Sequence, residues 1–519
     1  FGCLAWSHSE THLLYVAEKK RPKGESFFQG KAAEAGGEEL GGPQKQEAPA
    51  KGEQFVYREG WGETLGGRST PVLCVLDVEG SSVSVLEGVP EHVSPGQAFW
   101  APEDTGVVFV GWWHEPFRLG LRHCTNRRSA LFYVDLAGGK CELLSDDTQA
   151  TWSPRLSPDR CRVAYLQNSA LGPHQQCSRL CVYDWYTGRT RTVLEAVPRA
   201  AAGESGVPRA AGRRGQRRGA GLSPGALVAG AFPGIYCSAL PGLCWAADSR
   251  RLLLDTVQRS QQDIFVVDTQ TGAVTPLTAD APQGSWSLLT IDRDILVASF
   301  STPSCPPKLV VGLLPPAGQE PTLQWVHAEA VAPVPGVSWK TLTLQPPGEE
   351  QSPPARGDGA PGPPAGAARR PTLTLCPGGP HAVFDARWRP PAAALCQLGF
   401  AVLMGECGTR GGRRLCPHVS ATAPVPAVNY RGSLGFGQAA LASLLARQGE
   451  QDVADTQLAA ERALRDERLD RRRVALLGAS HGAFVALHLL ARHPELYRAC
   501  AVRSPVTDLA TLLGTSDIP

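Results

Sequence analysis

The chain has 519 residues, with 51 Lys and Arg against 49 Asp and Glu, a net charge of +2, and 42% apolar and 19% charged residues. That length leaves room for two or more domains, the composition fits a soluble globular protein, and the balanced charge argues against a nucleic-acid partner. No run of about 18 apolar residues occurs, so no membrane span is expected, and no secretory leader is visible at a first residue that is Phe rather than Met. The 15 Cys are odd in number and scattered, with Cys177 and Cys181 the closest pair and no CxxC repeat of zinc spacing. They read as reduced thiols of an intracellular protein, many of them buried as small apolar residues.

Two patterns recur through the first two thirds. One is Trp, a small residue, a polar turn and a short apolar strand. It occurs at Trp6-Ser7-His8-Ser9, at Trp100-Ala101-Pro102-Glu103, at Trp152 with Leu156-Ser157-Pro158-Asp159, and at Trp245-Ala246-Ala247-Asp248. The other is an apolar strand ending in Asp, a short glycine turn and a return strand ending in Leu. Its copies end at Asp77 with Leu86, Asp135 with Leu144, Asp184 with Leu194, and Asp268 with Leu277. Together they predict about four short strands per unit, which is a β-propeller blade. The four Trp are expected in the core, and the Asp residues are expected to cap turns.

Successive Asp residues lie 58, 49 and 84 positions apart. The first two spacings fit a blade period of about 50. The third is stretched by residues 199–231, an Ala/Gly/Arg-rich tract without strand pattern. That tract reads either as a basic surface loop or as sequence foreign to the folded design. Residues 346–370, dominated by Pro, Gly, Ala and charge, read as the linker that closes a propeller region spanning 1–345.

From 371 the pattern changes. Thr372-Leu373-Thr374-Leu375 predicts a strand, followed by Cys376-Pro377-Gly378-Gly379-Pro380-His381. Residues 398–404 read as a second buried strand, and 405–427 as an unpatterned insertion. Asn429-Tyr430-Arg431-Gly432-Ser433-Leu434-Gly435-Phe436-Gly437 is a glycine-rich loop. A helix is predicted over 452–466, with Val453, Gln457, Ala460 and Leu464 along one side. Val474-Ala475-Leu476-Leu477 then runs as a strand into Gly478-Ala479-Ser480-His481-Gly482. A helix carrying Phe484, Leu487 and Leu490 leaves it and stops at Pro494, and 498–502 reads as the next strand.

Gly-x-Ser-x-Gly between a buried strand and a helix is the pattern of a nucleophile elbow, and this order is a doubly wound α/β-hydrolase unit. Small neighbours let the backbone bend sharply, exposing Ser480 Oγ and aiming the His481 N–H at a developing oxyanion. The Gly-Gly turn after the earlier strand is where that fold places its second oxyanion donor, here the N–H of Gly379. The alternative is a simple loop.

The series "GGPH … LGFAVL … VNYRGSLGFGQ … GASHGAF … SPVTD" resembles the prolyl oligopeptidase family of serine peptidases. Segments such as "GWWHEPFRLG", "PHQQCSRLCVYDWYTG" and "DTVQRSQQDIFVVDTQTG" resemble its acylaminoacyl-peptidase branch. The resemblance implies a β-propeller plus α/β-hydrolase fold, with both parts incomplete in this chain. It implies release of an N-acylated, typically N-acetylated, residue from short peptides through an acyl-enzyme on Ser480. It also implies a cytoplasmic homotetramer with no metal or organic cofactor.

The sequence departs from that family in three ways. The family reads His-Gly-Gly-Pro where Pro377 stands, and Pro lacks an N–H. Tracts 199–231 and 405–427 interrupt segments that otherwise resemble the family continuously. The family's triad order is Ser, Asp, His, yet only 39 residues follow Ser480. Among them His488 and His493 ride the helix leaving the elbow, and Glu495 and Asp508 are the carboxylates in non-terminal positions. The triad Asp and His are therefore expected to be absent from this chain, and the chain alone to be inactive. The competing readings are a dipeptidyl-peptidase, endopeptidase or esterase of the same family, and a non-catalytic propeller scaffold.

Overall fold

The computed structural model describes residues 3–20, 57, 67–114, 126–136, 139–173, 175–198, 232–319, 323–341, 369–376, 378–404, 418–420, 429–465 and 468–516. The tract at 199–231, Pro377 and all of the linker but residues 369–370 lie outside them. So does the 405–427 tract, apart from residues 418–420.

Alternating apolar residues give three separate four-stranded antiparallel sheets in chain order. The first holds β1 (Leu4–Trp6), β2 (His12–Glu18), β3 (Pro71–Asp77) and β4 (Ser82–Val85). The second holds β5 (Val93–Trp100), β6 (Gly106–Trp113), β7 (Ser129–Asp135) and β8 (Cys141–Leu143). The third holds β9 (Gln149–Leu156), β10 (Arg162–Ser169), β11 (Arg179–Asp184) and β12 (Arg189–Leu194). In the fourth unit Trp245 bridges to Leu252 beside β13 (Arg251–Gln258), β14 (Gln261–Asp268) and β15 (Val274–Pro276). β16 (Ser285–Asp292), β17 (Ile295–Thr302), β18 (Cys305–Leu313) and β19 (Val326–His327) form a fifth, touching the fourth through one parallel pair, Gln262 and Ser285.

The repeated motifs do the work their chemistry suggests. Asp77, Asp184 and Asp268 each accept from a backbone N–H of the following turn. Trp100, Trp152 and Trp245 are buried and donate their indole N–H to the carbonyls of Ala5, Ser238 and Arg155. Each Trp thus clamps a neighbouring segment as well as filling space. Trp6 departs from expectation: at 57% exposure it is a surface residue on the short strand β1. The fifth blade lacks the Asp-to-Gly hairpin signature, since Arg293 and Asp294 make its first turn at positive φ without glycine. Its core is centred on Trp286, whose ring lies tilted against those of Phe300 and Trp325.

The rest of the chain builds a parallel sheet. Its order is β22 (Ala401–Met404), β21 (Arg370–Cys376), β24 (Leu469–Ala479), β25 (Tyr497–Arg503). Helices α1 (Pro390–Gln397), α3 (Gln451–Ala463) and α4 (His481–Arg492) cross over between these strands, and the short α2 (Gln438–Ala442) and α5 (Leu509–Leu513) flank them. Val453, Gln457, Ala460 and Leu464 are buried as the spacing predicts, and Val453 packs with Leu476, Val485 and Leu489. The strand expected over 398–404 begins only at Ala401. Leu398 caps α1 and Gly399 turns at φ +92°, so the first three residues belong to a turn. Within the tract read as unpatterned, β23 (His418–Ser420) pairs antiparallel with β20 (Trp339–Thr341).

Candidate active site

β24 delivers Ala479 to the sheet's C-terminal end and α4 starts at His481. Ser480 joins them at φ 54°, ψ −124°, a conformation that side-chain-bearing residues avoid. The turn is held by its neighbours: Ser480 N–H donates to Arg503 O at 3.1 Å, and Ser480 O accepts from Ala483 N–H at 3.0 Å. Gly478 is required for space, because a Cβ there would lie 2.3 Å from Gly482 O, inside the first turn of α4. Ser480 is exposed, and among the described residues no side chain hydrogen-bonds its Oγ.

The Gly-Gly loop lies beside this turn. Cys376, the last residue of β21, is in register with Gly478, and a Cβ on Gly378 would sit 3.4 Å from Ala479 O. Gly379 turns at φ +71°. Tyr430, which sequence reading placed in a glycine-rich loop without a role, is fully buried beneath it. Its hydroxyl lies 3.1 Å from Gly379 O and 3.0 Å from Pro380 O, and its ring sits 6.0 Å from the His481 ring. His381 Nδ1 meets Gly432 O at 2.8 Å. Ser480, His481 and Gly379 are therefore brought to one place, with Tyr430 as the strut between the loop and the elbow.

The imidazole of His481 faces inward. Its Nε2 lies 2.9 Å from Asp452 Oδ2, and both side chains are buried. Asp452 Oδ1 also accepts from the N–H of Gly449 and of Val453. One turn along α3, Asp455 takes a two-pronged contact from Arg431. Burial pushes the Asp455 carboxyl up, and the hydrogen bonds and charge of Arg431 pull it back. Neither carboxylate partner was visible in the sequence, because one pairing joins two helices and the other a loop and a helix distant in the chain.

The other candidate groups lie on and just after α4 and at the start of α5. His488 packs edge-on against Phe484, and desolvation followed by Arg492 lowers its pKa. His493 ends α4 beside Glu495 at 3.7 Å. Asp508 caps α5, and the hydrogen bonds it accepts from Thr511 and Ala510 lower its pKa. Among the described residues no group of three or more His, Cys, Asp or Glu could hold a metal, and every described Cys is a free thiol. No described helix is long and apolar enough to cross a membrane.

Residues 1–175 and 226–341 match the family described as acylamino-acid-releasing enzyme, N-terminal domain. The chain belongs to the acylamino-acid-releasing enzyme family. Residues 420–519 match the prolyl oligopeptidase family, which spans the elbow. Acylamino-acid-releasing enzymes of Rattus norvegicus and Homo sapiens are each 52% identical over 527 residues, covering 100% of this chain and 65% of theirs. The chain thus spans less than two thirds of the length of these curated relatives. A rice member, acylamino-acid-releasing enzyme 1 of Oryza sativa subsp. japonica, is 28% identical over 563 residues, 100% of this chain and 66% of its own. Among solved structures, Pyrococcus horikoshii acylaminoacyl peptidase superposes with a TM-score of 0.62 at 13% identity, over 99% of this chain and 64% of that one. A puromycin hydrolase gives 0.52 at 19%, over 99% and 78%. These likenesses are of fold, a β-propeller plus an α/β-hydrolase unit.

Proposed function

We propose that this acylamino-acid-releasing family member carries the nucleophile and oxyanion donors of a serine peptidase that frees N-acylated amino acids from the N-terminus of short peptides. The observation that carries the reading is Ser480, exposed at positive φ between β24 and α4, with the Gly378-Gly379 loop alongside. Ser480 Oγ attacks the carbonyl carbon of the acylated residue itself while its proton passes to a general base. The N–H groups of His481 and Gly379 hold the oxyanion, each contributing about 2.7–4 kcal/mol in the transition state. Collapse expels the shortened peptide as an amine and leaves the N-acyl aminoacyl ester on Ser480. Water then releases the N-acyl amino acid.

His481 is unsuited to be the base, since its imidazole is committed to Asp452. The reading therefore holds that the triad His and Asp are not among these 519 residues, and that the chain alone turns over substrate no faster than its Ser480→Ala variant. The finer parts of the reading are N-acetylated peptides as substrates, which the similarity to acylamino-acid-releasing enzymes supports, and a cytoplasmic homotetramer, which rests on the sequence resemblance alone. The test is a chimera in which the part of the rat relative outside the match is joined to this chain. Its rates are compared on N-acetyl-alanyl, free-amine and internal-proline peptides. Preference for the acetylated substrate supports the reading. Preference for either other class makes it a different peptidase of the family, and no turnover of any favours a binding scaffold.

A further inference from the structure

Between Gly379 and α1 the chain crosses to the propeller. Asp385, six positions after Gly379, has a fully buried side chain. Ser285, the first residue of β16 in the fifth blade, donates its hydroxyl to Asp385 Oδ2 at 2.6 Å. Arg387 Nε holds Oδ1 at 2.5 Å and Arg389 Nη2 approaches it at 3.3 Å, so the carboxylate is charge-compensated by its own loop. The backbone follows the same course. Ala386 N–H donates to Ser260 O at 2.9 Å, and Trp388 N–H to Ser301 Oγ at 3.2 Å. Arg387 Nη2 reaches Gln262 Oε1 at 3.1 Å.

On its other side the loop is tied to the hydrolase unit. Phe384 N–H donates to Asn429 Oδ1, and the Tyr430 hydroxyl meets Gly379 O and Pro380 O. The segment carrying Gly379 is thus stretched between Tyr430 beneath it and the fifth blade ahead of it. A loop fixed at both ends keeps a backbone amide in one place, as an oxyanion donor requires.

We propose that Ser285 is a positioning residue: its hydrogen bond to buried Asp385 lets the propeller's fifth blade set the oxyanion loop at Gly379. The reaction served by that loop rests on the serine-peptidase reading above, but the tether is testable without turnover.

The test is amide hydrogen exchange on the 519-residue chain, comparing wild type with Ser285→Ala and Ser285→Thr. The amides of residues 384–388 exchange about fivefold faster in Ser285→Ala, the equivalent of one lost hydrogen bond, while Ser285→Thr keeps the wild-type rate. The amides of Arg259 and Gly437, which cross the same interface to Gly435 O and the Tyr236 hydroxyl, stay at wild-type rates. Unchanged exchange at 384–388 in Ser285→Ala overturns the proposal. So does equal loosening at Arg259 and Gly437, which makes the contact general docking, or failure of Ser285→Thr to restore protection. Catalytic failure of the chimera with the tether intact would overturn the peptidase reading alone.

Discussion

His481 Nε2 and Asp452 Oδ2 lie 2.9 Å apart in the interior, joining the first residue of α4 to the first turn of α3. The pair anchors the residue whose N–H is the proposed oxyanion donor, and it withdraws that residue's imidazole from proton transfer. Asp452→Ala leaves the imidazole and two backbone N–H groups without their acceptor. The expected loss is about 3–5 kcal/mol of hydrolase-unit stability, measured by urea denaturation. Asp452→Asn keeps an acceptor and should cost about half as much or less. Equal stability of wild type and Asp452→Ala would mean the pair does not support the elbow.

Two glycines of the site should respond differently to a methyl group. Gly478→Ala drives Cβ to 2.3 Å from Gly482 O, so α4 must shift, and a loss of about 3 kcal/mol or more is expected. Among the described residues Gly379→Ala meets nothing closer than Ala382 Cβ at 3.9 Å, and it should cost only about 1–2 kcal/mol for its left-handed φ. Thermal melts of the two variants check the order, and the reverse order would contradict the close packing of β24 against α4.

Tyr430→Phe removes the hydroxyl facing Gly379 O and Pro380 O while keeping the buried ring. A stability change of about 1 kcal/mol is expected. In the chimera, kcat should fall with KM little changed, because the loop matters most when the oxyanion forms. A rise in KM at unchanged kcat would instead place Tyr430 in substrate binding.

Asp263 carries a pH signature of the propeller. Desolvation raises its pKa from 3.8 to about 6, only partly offset by the Thr278 hydroxyl at 2.8 Å. A carboxyl raised in the folded state contributes stability that is complete below its unfolded value and lost as pH rises through its folded value. Wild type should therefore lose stability between about pH 4 and pH 6 relative to Asp263→Asn. Denaturation series at about pH 4 and pH 7 check this: the variant's advantage should be larger at the higher pH.

The sequence made legible those features in which local pattern and tertiary role coincide. The turn at Ser480 needs small residues on either side, so its spacing is visible, and the helix stripe from Val453 to Leu464 is buried as read. The Asp-to-Gly hairpins announce four blades because each carries its own turn residues, and Asp77, Asp184 and Asp268 cap theirs. The fifth blade uses an Arg293-Asp294 turn without glycine and went unmarked. Helix α1 opens on Pro390 and Pro391, a favourable start that reads like a continuing loop. Contacts joining distant segments have no local pattern at all. Asp452 with His481, Arg431 with Asp455 and Ser285 with Asp385 depend on how the elements pack.

The most direct measurement of the central claim is covalent labelling of the chimera with a fluorophosphonate, located by peptide mass spectrometry and paired with hydrolysis of an N-acetyl-alanyl substrate. The account predicts a single adduct on Ser480, and loss of both labelling and hydrolysis in Ser480→Ala. Labelling of a different residue, or hydrolysis that survives Ser480→Ala, would contradict it.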